Sequence, residues 1–298
     1  MKKAYGLGLL TVLFWSTSAT AFKITLQYLD VLQLLLYAII TAIIILGSFL
    51  LISKRFMKVF RLKKKEYLFC MILGVMNPFL YYWMAVKAYD LLPAQIAQPI
   101  NYTWVIMLTL LSVPLLKQSL GKVQIFATLT CYSGVVVLSY RSSAYSGPDI
   151  NYFGILLAFS CTIIWALYWI YNVQSHQDTI VNIFLNFIFS IPFIALACGL
   201  FSSFKVQDIR GLMGCAWIGS FELGFAFITW ISALKLSHGT HKIANLIFLT
   251  PFISLIFIHM VLGEDIVLQT YIGLFLIIAG IFLEKYGQAI AEHNRCSP

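Results

Sequence analysis

Ten apolar runs fill almost the whole chain, at 4–22, 31–52, 67–86, 94–116, 122–140, 152–172, 180–201, 211–234, 243–262 and 268–286. Each is close to the length of about 20 residues that a helix needs to cross a bilayer core. Lipid offers the backbone no hydrogen-bond partners, so such runs fold as helices. They are too long for the strands of a membrane barrel. The turns between them leave no room for a soluble domain. The expected fold class is an all-α membrane protein with ten transmembrane helices. Only 10% of the residues are charged, against about 25% in a soluble domain, so most of the surface faces something other than water.

The first run resembles a secretory signal, with Lys2, Lys3, an apolar stretch and Ala19-Thr20-Ala21 as a cleavage site. Bulky Phe14 and Trp15 and the nine further runs make it the first helix instead. Placing the N-terminus in the cytoplasm and alternating puts 15 of the 20 basic residues on the inner side. The outer side keeps Lys23, Lys87, Arg141, Lys205 and Arg210. This obeys the positive-inside rule and places both termini in the cytoplasm, in a plasma or bacterial inner membrane. Seven inner charges lie in KRFMKVFRLKKK (54–65), a turn that anchors the topology against anionic lipid. With no soluble fold to present it, the net charge of +9 does not point to nucleic acid. The partners expected are the bilayer and a small-molecule substrate. Of the six cysteines, Cys70, Cys131, Cys161, Cys198 and Cys215 lie in apolar runs and read as small buried hydrophobes. None forms a CxxC pair, and neither a metal nor another cofactor is expected.

The halves of the chain resemble each other. YGLGLLTVLFW (5–15) recurs as YFGILLAFSCTIIW (152–165), and AYDLLPAQIAQPINYTWV (88–105) aligns with ALKLSHGTHKIANLIFLTP (233–251). SLGKVQIFATLTCYSGVVVL (119–138) aligns with DIVLQTYIGLFLIIAGIFLE (265–284), matching Gly134 to Gly280. Five helices per half is an odd number, so the second half enters the membrane upside down relative to the first. Such inverted repeats are common in secondary transporters, with the substrate at the midplane. The expected organisation is a first repeat at 1–145, a second at 146–290 and a short cytoplasmic tail at 291–298.

These segments carry a family resemblance. The order LTP (249–251), LGE (262–264) and IIAG (277–280), together with Trp15 near the end of the first helix, resembles the EamA-type families of the drug/metabolite transporter superfamily. The resemblance covers almost the whole chain. INYTW (100–104) is similar to the NYLWP signature of the YddG-like aromatic amino acid exporter branch, with Thr103 for its leucine and Val105 for its proline. Lys117-Gln118 stands where many relatives have Gly-Glu. The resemblance implies two EamA-like five-helix repeats and a carrier of small metabolites.

Polar residues inside apolar runs are the candidate site. In the fourth run Gln95, Gln98 and Tyr102 share one helical face, with Asn101 at its edge and Trp104 beyond. They line a central cavity or, as the alternative, bridge helices. In the third run Asn77 and Tyr81 are one turn apart, beside Tyr82; tyrosines here could hold a flat side chain or belong to an interfacial belt. Trp165, Tyr168 and Trp169 make an aromatic face on the sixth run, with Trp15 as its counterpart on the first. Asn245 in the ninth run corresponds to the Pro99 region. Glu222 is the one acidic residue placed deep in a span, and an ionised carboxylate there costs several kcal/mol unless it pairs or protonates. It reads as a proton-coupling group, as a partner for a substrate ammonium, or as a structural hydrogen bond. His259 is expected to be satisfied locally, and Glu264 to cap or fix a turn.

The function expected is therefore secondary transport, exporting small metabolites, amino acids including aromatic ones, by alternating access. The alternatives are a drug or cationic metabolite permease of the same superfamily and an intramembrane enzyme. No GxxxxGK[ST] segment for ATP occurs. Neither HExxH nor GxSxG is present, so an enzyme is not expected.

Overall fold

The computed structural model describes residues 2–104, 107, 110–111, 114–115, 122–139, 150–175, 177–236, 246 and 249–296. All regular structure among them is helical: α1 (Lys2–Thr25), α2 (Val31–Ile52), α3 (Lys64–Leu91), α4 (Ala94–Tyr102), α5 (Lys122–Ser139), α6 (Tyr152–Gln174), α7 (Thr179–Phe201), α8 (209–236), α9 (Thr250–Leu262) and α10 (Leu268–Cys296). Of these, α1, α2, α3, α6, α7 and α8 are long and apolar enough to cross a membrane; the apolar stretches Thr250–Leu262 and Leu268–Leu283 are shorter. The protein is a multi-pass integral membrane protein. Exposed Ile44, Leu51, Leu156, Leu196 and Phe275 belong to its lipid-facing surface. The cysteines Cys70, Cys131, Cys161, Cys198 and Cys215 are buried, as small hydrophobes should be.

Packing contacts come in matched pairs. Helix α1 packs on α8 and α9, while α6 packs on α3 and α4; α2 packs on α8, while α7 packs on α3. A Cβ on Gly74 of α3 would lie 2.3 Å from the Asn186 carbonyl oxygen of α7, and a Cβ on Gly219 of α8 would lie 2.3 Å from the Ala38 carbonyl oxygen of α2. Only glycine lets two backbones approach so closely. Gly134 and Gly280 play this part for each other's helices, α5 and α10.

The helix starts match as well. The Asp30 side chain accepts from the backbone N–H groups of Leu32 and Gln33 at the start of α2, and Asp178 accepts from that of Ile180 at the start of α7. Each capping site is covered by a loop from the other half of the chain. Arg55 and Lys58 reach Asp178 at 3.4 and 3.1 Å. Gln33 donates to the carbonyls of Ser203 and Lys205 at 2.8 and 3.1 Å, and the Ser202 hydroxyl donates to Asp30.

Both α3 and α8 contain a widened turn, at Val75–Leu80 and Ile218–Phe225. In α3 the helix breaks outright. Asn77 has φ −150° and ψ 121°, and the following residue is Pro78, whose ring disfavours helical backbone before it. This corrects the expectation that Asn77 and Tyr81 lie one turn apart on a continuous face.

Candidate functional site

Glu222 lies in the widened turn of α8, where three helices meet. The Ser18 hydroxyl of α1 donates to its Oε2, and the Tyr82 hydroxyl of α3 donates to Oε1 at 3.1 Å. Trp15 Nε1 donates to the Glu222 backbone carbonyl at 3.4 Å. Tyr82 was expected at the site from the sequence. Ser18 was not, because one hydroxyl among the serines and threonines of 16–20 carries no signal of its own.

Trp165 organises the aromatic side of the site. Tyr81 stacks on it with ring centres 4.5 Å apart, and Tyr168 stacks at 5.8 Å. Tyr82, Trp104, Trp169 and Phe227 meet it edge-on at 5.8 to 6.5 Å, a geometry that aromatic quadrupoles favour. The Tyr81 hydroxyl is fixed by Asn101, whose Nδ2 donates to it at 3.1 Å; the Cys161 thiol donates to Asn101 Oδ1 at 3.5 Å. Tyr81, Tyr82, Gln98, Tyr102 and Trp165 are buried, while Asn101, Trp104, Trp169 and Glu222 are partly exposed. Trp15, the counterpart of Trp165, packs edge-on against Phe227 at 6.3 Å and beside Trp230 at 5.7 Å.

The fourth helix divides its polar residues between two jobs. Gln98 accepts from the Ser254 hydroxyl of α9, and Tyr102 lies beside Gln98 and Thr250. Gln95 is an interhelical tie: its Nε2 donates to the Asp265 carbonyl at 2.9 Å and its Oε1 accepts from Thr270 at 2.8 Å. Glu264 caps α4, accepting from the backbone N–H groups of Ala94 and Gln95 at 3.1 and 3.3 Å. His259 is satisfied locally, its Nδ1 lying 3.1 Å from the Glu264 carbonyl. Asn77 is fully buried and neither atom of its amide has a hydrogen-bond partner. Asn245 lies outside the described residues.

A multi-pass bundle that gathers a carboxylate, amides and a tryptophan-centred aromatic cluster among its helices is of the kind that suits a membrane carrier. Residues 2–140 match the model of the EamA-like transporter family, and residues 152–284 match it a second time. The chain therefore belongs to the EamA-like transporter family, within the drug/metabolite transporter superfamily, and is a transporter. It is 25% identical over 284 residues to the uncharacterized transporter YvbV of Bacillus subtilis, covering 91% of this chain and 88% of that one. It is also 25% identical over 282 residues to an uncharacterized transporter of Archaeoglobus fulgidus, covering 92% and 94%. A solved crystal structure of another protein superposes with a TM-score of 0.68 at 20% identity, covering 96% of this chain and 97% of that one. That likeness is one of fold.

Proposed function

We propose that the protein is a secondary transporter that exports small metabolites, amino acids including aromatic ones, by alternating access across the plasma or bacterial inner membrane. The observation that carries this reading is the position of Glu222, held by Ser18 and Tyr82 beside the aromatic cluster on Trp165. The carboxylate suits a substrate ammonium or a transported proton. The ring faces of Trp165, Trp169, Trp104 and Tyr81 suit an aromatic or amphipathic side chain. Asn77, Gln98, Asn101, Tyr82 and Tyr102 supply the neutral hydrogen-bonding groups, and the bundle opens around them in turn to each side.

Two inverted five-helix repeats, 1–145 and 146–290, followed by the tail 291–298, are the architecture of this carrier. The reciprocal glycine contacts, the paired aspartate caps and the double family match support it. The basic 54–65 turn supports a cytoplasmic location for both termini. A second reading, a permease for cationic metabolites, is favoured by Glu222 alone, since a permanent cation needs the acid but not the neutral amides.

The test is purified protein in liposomes loaded with labelled phenylalanine or tryptophan, with efflux followed at two pH gradients. Efflux competed by other amino acids supports the proposal. Movement of organic cations alone supports the second reading, and no flux of either class overturns both.

A further inference from the structure

The matched pairs of contacts provide an internal control. Three residues after Gly219 stands Glu222, and three residues after Gly74 stands Asn77. Ser18, three residues after Trp15, donates to Glu222; Tyr168, three residues after Trp165, lies against Asn77. Cys215, four residues before Gly219, points at the Leu34 carbonyl at 3.5 Å. Cys70, four residues before Gly74, points at Asn182 Oδ1 at 3.7 Å. The two seams, α1/α2/α8 and α6/α7/α3, thus share one packing plan.

Their chemistry differs. Where the first seam has Phe22, Leu34 and Ala38, the second has Asn172, Asn182 and Asn186 at the matched positions. Close packing does not require those amides, because the same plan is met with apolar side chains. Asn186 ties α7 to α3 and α6, but not every polar atom of the seam is tied in this way. Asn182 donates to Ser175 at 2.9 Å, near the end of the bundle. Asn186 is satisfied with its nitrogen on the Asn182 and Cys70 carbonyls, 2.9 and 3.0 Å, and its oxygen accepting from Tyr168 Oη at 3.1 Å. Beyond these, Asn172 Oδ1 and both polar atoms of Asn77 are buried without a partner of good geometry, with Tyr168 lying against both residues, whereas α1 of the first seam has one such atom, Thr20 Oγ1. An unpaired buried amide costs on the order of 1–3 kcal/mol, and water is the partner that removes this cost.

We propose that the α3/α6/α7 seam is the aqueous route between the central site and the face of the bundle carrying the 54–65 turn. It runs from Gln177 and Ser175 past Asn182 and Asn186 to Asn77 and Tyr168, while the matched stretch of the α1/α2/α8 seam beyond Glu222, at Phe22, Leu34, Ala38 and Cys215, stays dry. Water and the hydrophilic end of the substrate enter and leave by it. The route rests on the carrier reading above, and it assigns work to Asn172, Asn182 and Asn186 that the central site does not require.

Cys70 and Cys215 are natural reporters of the two seams, both fully packed and at matched positions. Variants keeping Cys70 alone, Cys215 alone, or only an introduced Gln98→Cys are reconstituted in vesicles. Each is exposed to a membrane-impermeant cationic methanethiosulfonate from either side. The expected result is modification of Cys70 from the side of the 54–65 turn, at least about tenfold faster than Cys215, the factor given by about 1.4 kcal/mol of solvation. Equal rates for Cys70 and Cys215, or modification of Cys70 only from the opposite side, overturn the route. A reactive Gln98→Cys beside an unreactive Cys70 overturns the route and leaves the chamber standing; no reaction at either overturns both.

Discussion

Glu222 and Asn77 occupy corresponding places and have opposite surroundings. Each follows a glycine that presses a carbonyl oxygen of a neighbouring helix, and each lies in a widened turn. Glu222 is held by two hydroxyl donors, whereas the Asn77 amide has no partner. The frame is used twice and the chemistry once. A transporter built this way repeats its packing contacts while setting a carboxylate in one seam and an amide in the other. Mutations at the frame should therefore act in equal pairs, and mutations at the centre should not.

The largest effect should come at the centre. Glu222→Gln keeps the size and the hydrogen-bonding reach of the side chain and removes its charge. Liposomal flux should fall by about two orders of magnitude, the scale on which a positioned proton-transfer group acts, with thermal melting unchanged. Asn77→Ser should lower flux by about tenfold or less, the loss expected for one hydrogen bond worth about 1.4 kcal/mol. Equal losses from the two variants, or unchanged flux and unchanged pH dependence in Glu222→Gln, would break the contrast.

Next in size are the frame glycines. Gly74→Ala and Gly219→Ala each place a methyl 2.3 Å from a backbone oxygen, so whole helices must part. Each should cost about 1–3 kcal/mol, the range for overpacking, and the two should agree when measured by melting in detergent. A cost at one glycine and none at the other would mean that the packing is not reciprocal.

Much of this frame was legible in the sequence. Apolar run lengths gave the all-helical class and the six helices long enough to cross a membrane, and aligning Gly134 with Gly280 anticipated a contact in which each glycine admits the other's helix. Glu222 stood out because an acid inside an apolar run is costly wherever it points. The aromatic triplet on α6 was readable from its spacing, since period tells which residues share a face. Period does not tell which helix that face meets. Ser18 was thus missed as a partner of Glu222, and Gln95 turned out to tie α4 to the start of α10 although it shares a face with Gln98. The Asn77 register failed for another reason: Pro78 breaks the helix, and a face counted through a break is not a face. Asn172, Asn182 and Asn186 were passed over because single amides in apolar runs resemble ordinary interhelical ties until a matched seam without them is seen.

The smallest effects test the ends of the frame. Asp30→Ala and Asp178→Ala should each cost about 1 kcal/mol through loss of a helix cap, and the two should be similar. Asp178 carries an additional, pH-dependent part. Its burial pushes the carboxyl upward, but the hydrogen bond from Lys58 and the charges of Arg55 and Lys58 outweigh this and hold it below the usual carboxylate range. A carboxyl depressed in the folded state contributes fully above its unfolded value of about 3.9 and loses that contribution as the pH falls through the lower folded value. Asp178→Asn keeps a capping oxygen and removes the charge, so it isolates this part. At pH 7 it should be less stable than the parent by no more than about 1 kcal/mol, the range for solvent-accessible ion pairs, and raised salt should narrow the gap. The gap should begin to close as the pH falls below about 3.9, and it should vanish once the pH is below the depressed folded value. A gap that stays constant through this acid range would show that Asp178 holds α7 by geometry alone, as a cap without the ion pairs.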